Sequence, residues 1–458
     1  MVLLLAFAGA EADVRSLSAE FREAGVMETL LAQLLYFLRP VLFIETDISV
    51  AGLGGFALFN GLYFAPLLLL GLMVLGKSNA LQLSRIEKLL LLYVGWGVLV
   101  ALFFSPNASA DGFIKLLAPL VSYLIFRRLI SSKRLFVRAL QTMLVGFAPP
   151  VFASAWLIRH RQGNVDVDFF SGVERFSGVY SQIHPMGHSM GLVLMLTVLL
   201  YAVASSPAGG RVGISRVFWL YLMLLWLGAF YCMFHSHVRT VYLGLLIFFP
   251  IVCWSLGKRY LLLLVVAGGL MASTQTEMIR LVFMDVIDAV EGRDSIEKAG
   301  SGRLLIWGDK LTDFAETPLD RQLVGKGLGG HFVESDSHWG ALQSNEVQFD
   351  SHNDYLHVLI DYGIIGLLLL ILLYSAVWNQ IGRLVGLERA VFRGFFLAVL
   401  VMNLVSNSYV SRFGLAQILF MVLIYLDQAP VYYRRYGLAQ QRMRARSRKP
   451  MLSAGPIG

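Results

Sequence analysis

The chain has 458 residues, 57% hydrophobic and only 15% charged, with a mean hydropathy of +0.66. That composition excludes a soluble globular domain and a disordered chain, and it fits a protein that crosses a bilayer many times. The net charge of +8 comes from basic residues placed at the ends of apolar runs and in the tail. These are topology signals, so no nucleic-acid partner is expected.

The first ten residues, Met1–Ala10, are apolar but lack a basic leader and are too short to span. A cleaved signal peptide is therefore not expected. Residues 1–27 read as an N-terminal cytoplasmic segment, with Met27 as an alternative start. Apolar segments then follow at 28–48, 52–76, 88–104, 112–126, 135–157, 186–204, 218–234, 240–256 and 261–273. The first of them is interrupted by Arg39-Pro40. A long polar stretch covers 274–355, and three more apolar segments lie at 356–378, 394–411 and 415–426. Cys232 and Cys253 both fall inside apolar runs and are expected to be free thiols. The fold class expected is an all-α polytopic membrane protein of about 12 spans. Spans 1–9 fill residues 28–273, one large outer loop fills 274–355 between spans 9 and 10, spans 10–12 fill 356–426, and a basic cytoplasmic tail occupies 427–458.

Charge tests this count. With the tail inside, the inner connections 77–88, 127–134, 205–217, 257–260 and 379–393 each carry at least two Lys or Arg. The loop 274–355 holds 15 Asp+Glu against 7 Lys+Arg and belongs outside. Two short outer loops break the pattern with one arginine each, Arg239 and Arg412. All nine histidines fall in outer loops or within about a turn of the outer surface, so chemistry is expected there. The tail residues 440–449, polybasic beside a span, are expected to meet anionic lipids, although a pure topology role explains them as well.

Arg239 opens a span after His235-Ser236-His237-Val238, at an outer end where it opposes the orientation signal. It either snorkels to the interface or holds a specific partner, and its fork of donors suits a phosphate. Arg175 lies between Gly172 and Gly178 in the outer loop 158–185, where the backbone can approach an anion closely. The competing reading is an ordinary solvated charge. His184 and His188, at i and i+4, have metal-ligand spacing. His235 with His237, or His352 with His357, could pair in the same way, but no outer-loop Cys and no full His-Glu-x-x-His pattern supports such a site, and no metal or other cofactor is expected. Arg303 and Trp307 open an amphipathic segment that reaches Glu316 before Pro318, with the turn Gly327-Leu328-Gly329-Gly330 beyond. No nucleotide-binding fingerprint is present.

The stretch Ser351-His352-Asn353-Asp354-Tyr355-Leu356-His357 joins the polar loop to a span. Such a place suits an enzyme whose donor is lipid-bound and whose transferred group is in water. His352 is the general-base candidate, because an unperturbed imidazole, pKa about 6.5, accepts a proton near neutrality. Asp350 and Asp354 are near enough in sequence to orient it. The plainer alternative is a helix cap, since Asn and Asp favour helix starts.

Taken together, these residues resemble the O-antigen ligase and polymerase superfamily of bacterial envelope enzymes. The family signature of His, then Asn, Ser or Arg, nine residues, Gly, two residues, and Gly, Thr or Tyr is matched by His352-Asn353…Gly363-Ile364-Ile365-Gly366. A second signature, Arg-x-x-x-Leu, is matched by Arg239-Thr240-Val241-Tyr242-Leu243, and the run Arg303…Trp307…Pro318…Gly327 is similar to the family's large outer loop. The resemblance implies a GT-C-like glycosyltransferase of the bacterial inner membrane with its site facing the periplasm. Its donor would be a glycan on undecaprenyl diphosphate. Its acceptor would be a hydroxyl on lipid A core or on a second lipid-linked glycan, and neither nucleotide sugar nor metal would be needed. By the same resemblance, Arg175 and Arg239 would hold the diphosphate, His352 would activate the acceptor, and Arg303, Asn353, Asp354, Tyr355 and Trp307 would line the substrates. A lipid-linked glycan flippase is the alternative of a different class. It would place ionisable groups near the bilayer midplane, whereas the polar residues here gather on one side.

Overall fold

A computed structural model describes residues 26–42, 55–75, 83–105, 110–167, 174–180, 182–274, 303–330 and 351–447. The expectations for residues 1–25, for Asp350 and for the last residues of the tail lie outside them. In chain order the helices are α1 Val26–Val41, α2 Gly55–Leu75, α3 Arg85–Phe104, α4 Ala110–Leu129, α5 Lys133–Gly146 and α6 Ala148–Arg159. A hairpin follows, β1 Asn164–Val167 and β2 Glu174–Gly178. Next come α7 Ile183–Ser205, α8 Arg216–Ser236, α9 Arg239–Leu256 and α10 Lys258–Thr274. In the large loop lie α11 Arg303–Glu316 and α12 Leu319–Val324, and the chain closes with α13 Asp354–Ile381, α14 Gly386–Val405 and α15 Phe413–Ser447.

Each of the twelve expected segments overlaps a helix, and among the described residues seven helical runs are long and apolar enough to cross a membrane. These are Arg85–Phe104, Lys133–Arg159, Ile183–Ser205, Arg216–Ser236, Arg239–Leu256, Asp354–Ile381 and Gly414–Arg434. Some of the others fall short for visible reasons, whereas α2 has 21 residues and no charge. α1 has 16 residues and carries Glu28 and Arg39, α10 has 17, and α14 brings Glu388 into its first turn. The loop around Arg175 is not structureless either: β1 and β2 pair antiparallel, with Asp166 opposite Arg175.

Buried polar groups mark the two ends of the bundle. At one end Ser84 and Glu87 form a capping box on α3, and Glu87 also pairs with Arg127 at 2.5 Å and Arg128 at 3.2 Å from the end of α4. Beside them Lys133 donates to the carbonyls of Ser206 and Ala208, both at 2.8 Å, and lies 3.6 Å from Glu388. Glu388 accepts from the Tyr425 hydroxyl at 2.9 Å. This face collects the starts of α3, α5 and α14 and the ends of α4 and α7, which are the connections rich in Lys and Arg. Arg39 is a different case. It is buried within the bundle, its guanidinium 5.2 Å from the Tyr63 ring.

The run 356–378 departs from a single straight span. Gly363 breaks α13 with φ 69° and ψ −173°, a region open essentially to glycine alone. The break frees the carbonyls of Ile360, Asp361 and Tyr362 from their helical partners. Lys326 N takes the first at 2.8 Å, Gly327 N the second at 3.0 Å, and the Trp96 indole the third at 2.9 Å. A Cβ on Gly363 would lie 2.6 Å from the Gly325 nitrogen and would strike the Leu323 carbonyl. The Gly-rich turn is therefore a backbone cap for a broken helix. Residues 364–381 then rise roughly 27 Å at ~1.5 Å per residue, close to a bilayer's hydrocarbon thickness. The expected span 394–411 is likewise shortened: α14 ends at Val405, and 406–412 form a polar turn whose amides are claimed from α13. α15 continues past the expected end at 426 to Ser447, carrying the tail's first half as helix.

Candidate functional site

At the other end of the bundle the N-termini of α7, α9 and α13 come together with β2 and the turn 406–412. Helix starts present unpaired amides and a partial positive charge.

The start of α13 is built by capping. Asn353 Oδ1 accepts from Tyr355 N at 2.9 Å and Leu356 N at 3.1 Å, so this side chain is the helix N-cap. His352, just before it, has φ 47°. That is a left-handed conformation uncommon for a side-chain-bearing residue. Asp354 is fully buried and accepts from the amides of Ser408 at 2.9 Å, Val410 at 3.1 Å and Ser411 at 3.0 Å, and from the Ser411 hydroxyl. Both of its oxygens thus hold the 408–411 turn. Orientation of His352, the role expected for Asp354, is not what these bonds do. The network goes on from Ser411 Oγ to His357 Nδ1 at 3.1 Å, and from His357 Nε2 to Asp361 Oδ2 at 3.2 Å. Asp361 in turn accepts from Gly329 N at 3.2 Å, which ties the site to the Gly-rich turn.

The other expected residues are near. Trp307 donates its indole N–H to the Ser351 carbonyl at 2.8 Å, and with Phe314 it seats α11 on Leu356 and Ile360. Tyr355 donates its hydroxyl to the Leu400 carbonyl at 3.0 Å. Arg303 donates to the Val405 carbonyl. The polar groups of Asn353, Asp354, Tyr355 and Trp307 therefore engage the protein itself and fix the scaffold around His352.

His184, at the start of α7, places its ring 6.1 Å from that of His352. His188, one turn on, bonds the His184 carbonyl through Nδ1 and the Ser408 hydroxyl through Nε2, both at 2.8 Å. A carbonyl can only accept, so Nδ1 carries the proton and Nε2 receives the hydroxyl. With both nitrogens committed, this i, i+4 pair does not present two open metal ligands. Arg412, noticed in the sequence only as a misplaced charge, donates Nε to the Asn407 carbonyl at 3.0 Å and Nη2 to Gln182 Oε1 at 3.4 Å.

Arg239 is the first residue of α9 and Arg175 stands on β2; both act electrostatically on His237, which caps the end of α8 at φ 50°. Burial, reinforced by the positive charges of Arg175, His235 and Arg239, pushes the His237 imidazole down to about 4. The start of α9 sits tightly on α7, because a Cβ on Gly187 would come within 2.7 Å of Val238. Gly187 lies less than one turn from His184, so the two arginines and the His184–His352 pair share one neighbourhood.

Sequence reasoning missed Ser408, Ser411 and Arg412 as parts of the site. Only Arg412 left a signal, its charge at an outer helix end. The serines become visible only once Asp354 has folded the turn onto α13.

Bundle and site together define a multi-pass membrane protein with a cationic, histidine-bearing site at one end of its helices. Residues 222–371, about a third of the chain, match the family model described as O-antigen ligase, and this match supports the resemblance to the O-antigen ligase and polymerase superfamily. The matched stretch runs from α8 into α13 and includes Arg239, Arg303, His352 and Gly363. No curated protein matches the chain.

Proposed function

We propose that the chain is a glycosyltransferase of the bacterial inner membrane, GT-C-like in architecture, that transfers a glycan from undecaprenyl diphosphate to a hydroxyl at the periplasmic face. The observation that carries this reading is that Arg175 and Arg239 both act on His237 while the His352 and His184 rings lie 6.1 Å apart, among three helix starts.

In this mechanism the two guanidiniums hold the diphosphate in bidentate fashion and stabilise the charge that grows on it. The acceptor oxygen forms a bond to the anomeric carbon of the donor sugar as that carbon's bond to the diphosphate oxygen breaks. Undecaprenyl diphosphate leaves with the electron pair, and the acceptor proton passes to His352. The left-handed backbone at His352 and the neighbouring N-cap fix the imidazole at the end of α13. Lipid A core would be the acceptor of a ligase, and a second lipid-linked glycan that of a polymerase. The family supports lipid-linked glycan substrates in general.

The test is to incubate the purified protein with an undecaprenyl-diphosphate oligosaccharide, with and without lipid A core, and to read the products by mass. Glycan on lipid A core identifies a ligase, and longer carrier-linked chains without that acceptor identify a polymerase. No transfer in either condition overturns the transferase reading.

A further inference from the structure

Among the arginines of this end, four fall into two groups. Arg175 and Arg239 act electrostatically on His237, whereas Arg303 and Arg412 act on His184 and His188. The second group has its own anchor. Arg303 donates to the Val405 carbonyl and Arg412 to the Asn407 carbonyl, so both guanidiniums converge on one three-residue stretch. Asp354 holds that turn by its amides, and His188 holds it by Ser408.

Within the turn, Asn407 is only 3% exposed, and neither its Oδ1 nor its Nδ2 has a hydrogen-bond partner. Leaving a buried donor or acceptor unsatisfied is costly, so such groups are retained where something else satisfies them. An amide offers one acceptor and two donor hydrogens, which suits the paired hydroxyls of a sugar. Guanidinium forks alongside suit a phosphate.

We propose that the turn 405–412 is a second ligand subsite that takes a phosphorylated sugar, with Arg412 and Arg303 on the phosphate and Asn407 on sugar hydroxyls. Its residues are not those of the Arg175–Arg239 pair. The proposal rests on the transferase reading above and gives its acceptor a place. The shared chemistry is a sugar phosphate, supplied either by a second lipid-linked glycan or by the phosphorylated sugars of lipid A core.

The test uses the full chain in lipid nanodiscs. Undecaprenyl diphosphate is added to saturation to fill the first site, and binding of labelled glucose 1-phosphate is measured by equilibrium dialysis. Glucose 1-phosphate should still bind. Arg412→Gln should weaken it by about tenfold or more, the cost of a lost charged hydrogen bond, and Asn407→Ala should weaken it several-fold. Arg239→Lys should weaken undecaprenyl diphosphate alone. Arg412→Lys, which keeps the charge without the fork, should fall between wild type and Arg412→Gln, and thermal melts identify any variant that fails to fold. Either a lipid-linked oligosaccharide or lipid A core should displace the label, and the one that does so is the source of the sugar phosphate.

Loss of glucose 1-phosphate binding once undecaprenyl diphosphate saturates would overturn the proposal. So would equal binding of inorganic phosphate, or displacement by neither glycan. If undecaprenyl diphosphate itself does not bind, the donor assignment fails. The Arg412-dependent binding of glucose 1-phosphate is then read without it.

Discussion

His352 sits one residue before an N-cap whose side chain is committed to the helix, in a backbone conformation that few residues occupy. A pure cap would need Asn353 and nothing from His352. Replacing His352 by Ala should therefore leave the protein inserted and folded while transfer falls roughly 10²–10⁴-fold, the range for a lost general base. Normal product from this variant in the mass-based transfer assay would remove His352 from the mechanism. Arg239→Lys keeps the charge but loses the fork; the expected loss in turnover is about tenfold or more, and wild-type turnover would mean that Arg239 only snorkels. His237, at about 4 in the folded chain and near 6.5 unfolded, binds fewer protons when folded. Its contribution is thus a stability that is present above pH 6.5 and falls as the pH drops from 6.5 toward 4. The melting temperature of wild type relative to His237→Gln should fall between pH 7.5 and pH 4.5; parallel curves would rule the effect out.

At the scale of elements, the join between α13 and the loop bearing α11 and α12 decides the geometry. Two glycines, one in each partner, let the backbones meet, and three carbonyls released at Gly363 are recaptured from outside the helix. Gly363→Ala meets both a forbidden conformation, about 1–3 kcal/mol, and a collision with the Leu323 carbonyl. It should lower the melting temperature and expose the 319–330 segment to protease, while the analogous Gly257→Ala, where a Cβ meets nothing, gives the smaller penalty of its φ of 130° alone. Unchanged proteolysis in Gly363→Ala would mean that the turn does not depend on the break. The family signature owes its first glycine, Gly363 here, to this kink. Its letters were legible in the sequence, but the docking that requires them was not, because the turn and the kink meet only in the folded chain.

Across the whole molecule, buried ion pairs at one end and the arginine–histidine site at the other separate the structural charge from the chemical charge. The end holding Glu87, Arg127, Lys133 and Glu388 coincides with the connections that the positive-inside rule puts in the cytoplasm. Alkaline phosphatase fused within 205–217 or 379–393 should accordingly be inactive, and fused at 160–163 it should be active. The reverse pattern would turn the site toward the cytoplasm and defeat the periplasmic assignment.

The membrane class, the placing of helices along the chain and the segments bearing Arg239 and His352 were legible from the sequence. Hydropathy, charge asymmetry and short motifs are local properties that need no partner. Three things were not legible: the break in α13, the hairpin that carries Arg175, and the turn by which Asp354, Ser408 and Arg412 join the site. Each depends on hydrogen bonds between residues far apart in the chain, such as Asp354 with Ser408 and Gly327 with Asp361. A backbone group released in one element finds its partner only after another has packed against it.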